Sequence, residues 1–139
     1  MRVKQLVDGI PAPTRARKND GGYQLRAAVK NDVYLDRGQS VSINTGFSWR
    51  IPDGYVGLTK PWSVPESCRL GVMGGVIYPH DDREVKVLVF NIFNGRFVIE
   101  SYDIIAEMVV VPHYNGALII DESLGETDRG DKGFGSAGV

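Results

Sequence analysis

The property that most constrains this chain is its punctuation. Short runs rich in Val, Ile, Tyr and Phe recur from end to end, and Gly, Pro, Asn and Asp cut each run off before it reaches helical length. Apolar residues almost never repeat at the three- and four-residue spacing of an amphipathic helix. Runs of this kind read as strands, and strands this short and numerous favour an all-β domain of sandwich or barrel type, most simply a jelly roll. The expected strands are Val3 to Leu6, Tyr23 to Ala27, Asp32 to Leu35, Ser40 to Asn44, Phe47 to Arg50, Tyr55 to Lys60, Val85 to Phe90, Arg96 to Glu100, Ile104 to Val111 and Ala117 to Ile120. Thr45-Gly46 splits the fourth from the fifth. Val85 to Phe90 lacks clean alternation, which predicts burial on both faces. Pro11 to Gly22 reads as an extended loop, and Trp62 to Ser67 has room for one helical turn after Pro61. Pro52-Asp53-Gly54 is a turn with a mechanism, since Pro presets φ and Gly accepts a positive φ.

A length of 139 residues fits one domain, and an apolar fraction of 42% is enough for a core. The boundary is drawn at residue 121. Residues 1–121 form the β domain, and residues 122–139, acidic and then glycine-rich, form a flexible C-terminal arm. A net charge of −1 gives no direct signal for nucleic acid, and no apolar run is long enough for a membrane span. The start, Met1 to Gln5, lacks the apolar stretch of a signal peptide. Cys68 is the lone cysteine, which suits a reducing, intracellular setting, cytoplasmic or nuclear, a viral source included. Zinc sites built on cysteine are excluded, and His80 with His113 makes a poor zinc constellation.

One stretch concentrates chemistry. Gly74-Gly75-Val76-Ile77-Tyr78-Pro79-His80-Asp81-Asp82-Arg83-Glu84-Val85 joins a glycine entry to a turn holding a phenol, an imidazole and two carboxylates. Turns on a rigid sheet are where a β protein keeps a binding site. The tail, Arg129-Gly130-Asp131-Lys132-Gly133-Phe134-Gly135-Ser136, sets an aromatic ring among glycines with an Arg and a Ser. Such a segment can wrap phosphates with backbone N–H groups while the ring stacks on a base.

That tail resembles the C-terminal motif of the trimeric dUTPases, and further family landmarks follow in order along the chain. Pro13-Thr14-Arg15 with Gly22-Tyr23-Gln24-Leu25-Arg26-Ala27 is similar to the first motif. Thr45-Gly46 and Ile51 to Leu58 resemble the stretch before the second, where Pro61-Trp62-Ser63-Val64 stands. Gly75-Val76-Ile77, closing on Glu84-Val85, is similar to the third, and Asp103-Ile104-Ile105-Ala106-Glu107 to the fourth. The resemblance implies a small β jelly roll and a homotrimer with three interfacial sites, each closed by a C-terminal arm. It implies cleavage of dUTP to dUMP and pyrophosphate, with Mg2+ holding the triphosphate and an Asp of the third motif activating water. It also implies a nucleotide contact set of Ser63, Gly75, Ile77, Tyr78, Asp81, Arg129, Phe134, Gly135 and Ser136.

The same comparison shows a divergent member with degenerate motifs one to four. Tyr78 occupies the position of the water-activating Asp, and a phenol of pKa about 10 is a poor base at neutral pH. Gln24 stands where the first motif has its Asp, and a neutral amide lacks the charge a hard cation wants. Trp62 replaces a phosphate-facing Arg, Val64 a glycine and Asp81 the sugar-discriminating Tyr. His80 and Asp82 belong to the same rewritten turn, and Tyr102, Ile104 and Glu107 replace the Gly, Arg and Gln of the fourth motif. The resulting expectation is a family member with lost or severely weakened hydrolysis, no intact catalytic residue and no assigned metal ligand. It would act by binding or sequestering a deoxynucleotide, or through a protein partner. The alternative is an active diphosphatase that cleaves dUTP or a triphosphate with another base, with Mg2+ as cofactor and His80, Asp81 or Asp82 replacing the lost acid. A third reading is a protein-interaction module that uses only the scaffold.

Overall fold

The computed structural model describes residues 1–62 and 70–129. Among the described residues ten strands carry the fold: β1 (Arg2–Gln5), β2 (Gly22–Arg26), β3 (Val33–Leu35), β4 (Ser40–Arg50), β5 (Tyr55–Lys60), β6 (Leu70–Met73), β7 (Val76–Ile77), β8 (Glu84–Asn91), β9 (Phe97–Ile99) and β10 (Ile104–Pro112). They form two four-stranded sheets, ordered β1-β4-β8-β6 and β2-β10-β5-β7, with β3 and β9 paired beside them. Every pairing is antiparallel. The all-β jelly-roll expectation holds.

The core draws on both sheets: Ile43, Trp49, Val87 and Val89 from the first, Leu25, Ala106 and Met108 from the second. Full burial of one such aliphatic side chain stabilises the fold by roughly 1.5–3 kcal/mol relative to exposure. The strand β8 alternates, with Val85, Val87, Val89 and Asn91 buried while Lys86 faces solvent. The expected two-sided burial is therefore corrected. One face of β8 meets the opposite sheet, and the other is only partly covered.

Residues 40–50 form one strand rather than two. The break at Thr45-Gly46 is a bulge, where the β4–β8 register shifts between Asn44 and Ser48. Gly46 has φ +73°, and a Cβ there would press on Ile10 and Ala28 at 3.2–3.3 Å. The buried Thr45 hydroxyl donates to the Val85 carbonyl at 2.7 Å, and the Gly46 amide donates to Glu84 Oε1 at 2.9 Å. The bulge thus fastens β4 to the base of the chemistry-rich turn.

Two strands escaped the sequence reading. In β6, Gly71 looks like a breaker, yet it pairs opposite Phe90, whose ring comes within 2.3 Å of where a Cβ would stand. The glycine makes room for the ring. The other, β7, is only two residues long and is defined by its pairing with Gly57 and Leu58 of β5. Conversely, Ala117 to Ile120 forms no strand, since no neighbouring strand lies along it, and residues 113–129 carry no regular structure. Most of the expected helical turn over Trp62 to Ser67 lies outside the described residues.

Candidate functional site

The turn between β7 and β8 is held at its entry by Thr59. This residue is buried, and its hydroxyl accepts a 2.7 Å hydrogen bond from the Gly75 amide. The Thr59 amide donates to the Gly75 carbonyl at 3.1 Å. A Cβ on Gly74 would stand 3.1 Å from the Thr59 carbonyl oxygen, so the glycine entry serves close backbone approach.

The tip is a tight turn. The Asp81 amide donates to the Tyr78 carbonyl at 3.3 Å, with Pro79 and His80 between them. Pro79 suits the first central position. His80 takes φ +66° at the second, where a glycine would be at ease. Tyr78 is 60% exposed there. Within this single chain its phenol does not fill the core beneath the turn.

The charged residues of the turn pair with arginines and with a second turn. Asp81 accepts from Arg83 at its side chain, at 2.9 and 2.7 Å, and from the Arg83 amide at 3.2 Å. The Arg83 guanidinium, and then its backbone N–H, hold the Asp81 carboxyl down to about 2. Asp82 faces Arg50 at the end of β4 in a two-pronged pair, and the Arg50 hydrogen bonds lower its pKa. His80 Nε2 lies 2.9 Å from Asp53 Oδ1 in the neighbouring Pro52–Tyr55 turn. Arg50 and Asp53 were absent from the sequence-derived set. Only the antiparallel β4–β8 and β5–β7 registers bring the end of β4 and the turn after it beside this turn.

Two cavities each gather several of the expected site residues, while Asp82 lines a third beside β1. One, of about 590 Å³, lies along β7, the turn after it and the start of β8, and is lined by Val76, Ile77, Asp81, Arg83, Glu84, Val85 and Lys86. The other, of about 490 Å³, is lined by Ala16, Arg17, Asp20, Gly21, Gly22, Gln24, Trp62, Glu107 and Val109. The second arises because β2, β10 and β5 are adjacent. Glu107 registers with Gln24 on one side and Lys60 on the other, which sets an amide, a carboxylate and an ammonium side by side across three strands. Lys60 is a further neighbour missed from sequence. Gly22 leaves space for the Glu107 carboxylate, whose Oε2 lies 2.5 Å from where a Cβ would be.

Arg129 is exposed, and Ser63, Val64, Phe134, Gly135 and Ser136 lie outside the described residues. Among the described residues no group of three His, Cys, Asp or Glu side chains converges as a metal site. Asp81 and Asp82, two of the residues expected to replace the lost acid, are each engaged with an arginine.

The sequence model of the dUTPase family matches residues 8–138. The deoxyuridine 5′-triphosphate nucleotidohydrolase of Ehrlichia canis is 32% identical, the match covering 99% of this chain and 93% of that protein. The enzyme of the same name from Idiomarina loihiensis is 34% identical over 99% of this chain and 97% of that one. Among solved structures, the dUTPase of Staphylococcus bacteriophage 80alpha with dUPNHPP superposes with a TM-score of 0.87 at 28% identity, covering 99% of this chain and 98% of that one. An all-β fold, a glycine-entered strand β7 paired to β5 and matches that run nearly the whole length of both chains agree: the protein belongs to the dUTPase family.

Proposed function

We propose that this protein is a deoxynucleoside triphosphate nucleotidohydrolase that releases pyrophosphate, with dUTP the first substrate to test. The observation that carries this reading is the near-full-length match to relatives named for that reaction. The expectation of lost hydrolysis rests on side-chain identity alone, and no finding demonstrates it. The backbone of the β7–β8 segment supports the enzymatic reading, since Thr59 fixes Gly75 and leaves the cavity beside Ile77 and Asp81 accessible. In this reading residues 1–121 form the β domain and residues 122–139 the arm, and three copies assemble. Ser63, Gly75, Ile77, Tyr78 and Asp81 contact the nucleotide, joined by Arg129, Phe134, Gly135 and Ser136 of the arm.

The described residues do not fit a magnesium ion held by protein side chains. Position 24 is a neutral amide, and Asp81 and Asp82 are engaged with Arg83 and Arg50. The protein's own residues bind and orient: the β7–β8 segment supplies backbone groups, Trp62 an aromatic face and Arg83 a cation.

A second reading, binding without hydrolysis, is favoured by Tyr78. A phenol with its ordinary proton is a weak base near neutral pH, and Gln24 and Trp62 weaken the same chemistry. Phage dUTPases such as that of 80alpha control transfer of virulence genes by a proto-oncogenic G protein-like mechanism, so a role beyond turnover has a precedent among structural neighbours.

The deciding experiment incubates purified protein with Mg2+ and each deoxynucleoside triphosphate and follows pyrophosphate release alongside thermal stability. Release of dUMP and pyrophosphate is expected. Stabilisation by a nucleotide without release would replace the enzymatic reading with the binding one, because stabilisation follows occupancy. A flat response to every nucleotide, with no release, would leave only the scaffold reading.

A further inference from the structure

The cavity beside β1, of about 460 Å³, has a polar lining of Arg2, Lys4, Ser48, Arg50 and Asp82. Register fixes this arrangement. Arg2 pairs with Arg50 and Lys4 with Ser48, and directly opposed residues project to the same face of a sheet. Asp82 joins them from the chain just before β8, on the far side of β4. The cavity therefore lies over the β1–β4 pair, inward of the outer edge of the sheet.

Its charges do not balance. Three cations meet one carboxylate, and that carboxylate is engaged with Arg50. Arg2 and Lys4 form no ion pair among the described residues. Arg2 also stands directly opposite Arg50, where like charges repel. Arg50 gives its Nε and one terminal nitrogen to Asp82. A guanidinium carries five N–H donors, so most of its remaining donors are free to serve a ligand, and Asp82 fixes the plane in which they lie.

Ser48 points the same way by a separate observation. It is only 7% exposed, it borders the cavity, and its hydroxyl makes no hydrogen bond among the described residues. A shielded hydroxyl without a partner costs stability unless something in the cavity takes it up. Water would satisfy the hydroxyl but leave the cations opposed. A tetrahedral oxyanion answers both, because it spreads its charge over several acceptor oxygens that a guanidinium, an ammonium and a hydroxyl can share.

We infer that this cavity binds a small phosphate-type oxyanion, held by Arg2, Lys4 and Arg50 and by a hydrogen bond from the Ser48 hydroxyl. Asp82 acts as a positioning residue for Arg50, so the anion site and the turn before β8 share one arginine. Pyrophosphate, which carries more charge than orthophosphate, is the tighter ligand of the two.

The test titrates the full chain, free of nucleotide, with sodium pyrophosphate and separately with sodium phosphate, at an ionic strength held constant with sodium chloride. Backbone amides are followed by NMR. Saturable shifts are expected at Arg2, Val3 and Lys4 and at Ser48, Trp49 and Arg50, with pyrophosphate the tighter. The double variant Arg2→Gln with Lys4→Gln is expected to weaken pyrophosphate binding at these amides roughly tenfold or more. Ser48→Ala, which removes no charge, is expected to weaken it about threefold or more. Unchanged affinity in Ser48→Ala would overturn the inference by reducing the site to a diffuse cloud of positive charge. Shifts that never saturate, or that are the same in the double variant, would overturn it as screening. Shifts confined to Gly75, Ile77, Asp81 and the arm would overturn it as well, since pyrophosphate would then occupy the nucleotide site alone. The readout is binding at named residues and stands whether or not the protein turns over dUTP.

Discussion

The Thr59 hydroxyl and the Gly75 amide, 2.7 Å apart, tie the start of β7 to β5. Thr59 is buried, so the bond is shielded from water and the amide depends on it. Replacing Thr59 with the near-isosteric Val removes the acceptor without opening a hole. We expect a loss of ~1–2 kcal/mol, the usual range for a shielded amide left without its partner. Urea denaturation measures it. Nucleotide affinity should fall in the same variant, since Gly75 is then free to shift.

His80 adopts φ +66° at the second central position of its turn. Left-handed backbone costs a side-chain-bearing residue roughly 1–2 kcal/mol, and a β-branched residue suffers most. His80→Val is therefore expected to destabilise the protein, while His80→Gly is expected to be close to neutral, the relief of strain being offset by greater freedom in the unfolded chain. Thermal unfolding of the two variants side by side checks the order. Equal midpoints would show that the turn does not need this conformation.

The Asp81–Arg83 contact makes a pH prediction. Asp81 has its pKa lowered in the folded state to about 2, first by the Arg83 side-chain hydrogen bond and then by the Arg83 amide. A depressed carboxyl stabilises the fold above its unfolded pKa, about 3.9, and that stabilisation is lost as pH falls through the folded value. The contribution should thus disappear between pH about 4 and about 2. Carbon-detected NMR titration of the Asp81 carboxyl should give a midpoint near the lower value. Arg83→Gln should return it toward the ordinary carboxylate range.

Met108 lies fully buried on β10, the strand between β2 and β5. Truncation to Ala leaves a cavity between the sheets and is expected to cost ~2–5 kcal/mol. Chemical denaturation gives the value. A cost well under 1 kcal/mol would mean that the two sheets collapse onto the vacated space.

By itself the sequence determined the class of fold, most strand positions and the family. It did so because turn chemistry and strand propensity are local: Gly54 at φ +82° after Pro52-Asp53, or the Val- and Ile-rich run from Ile104 to Val111, needs no distant residue to be read, whereas the alternating burial of Val85, Val87 and Val89 appeared only with the opposing sheet in place. It also located the glycine-entered turn and the identity of Tyr78, Gln24 and Trp62. What it could not supply was proximity. Arg50 meets Asp82, Asp53 meets His80, and Lys60 lies beside Glu107 only once antiparallel register brings together strands far apart in the chain. The same physics explains the errors. Strands β6 and β7 exist through their partners Phe90 and Gly57, and Ala117 to Ile120, with full strand propensity, stays unpaired because a strand is completed by a neighbour and not by its own residues.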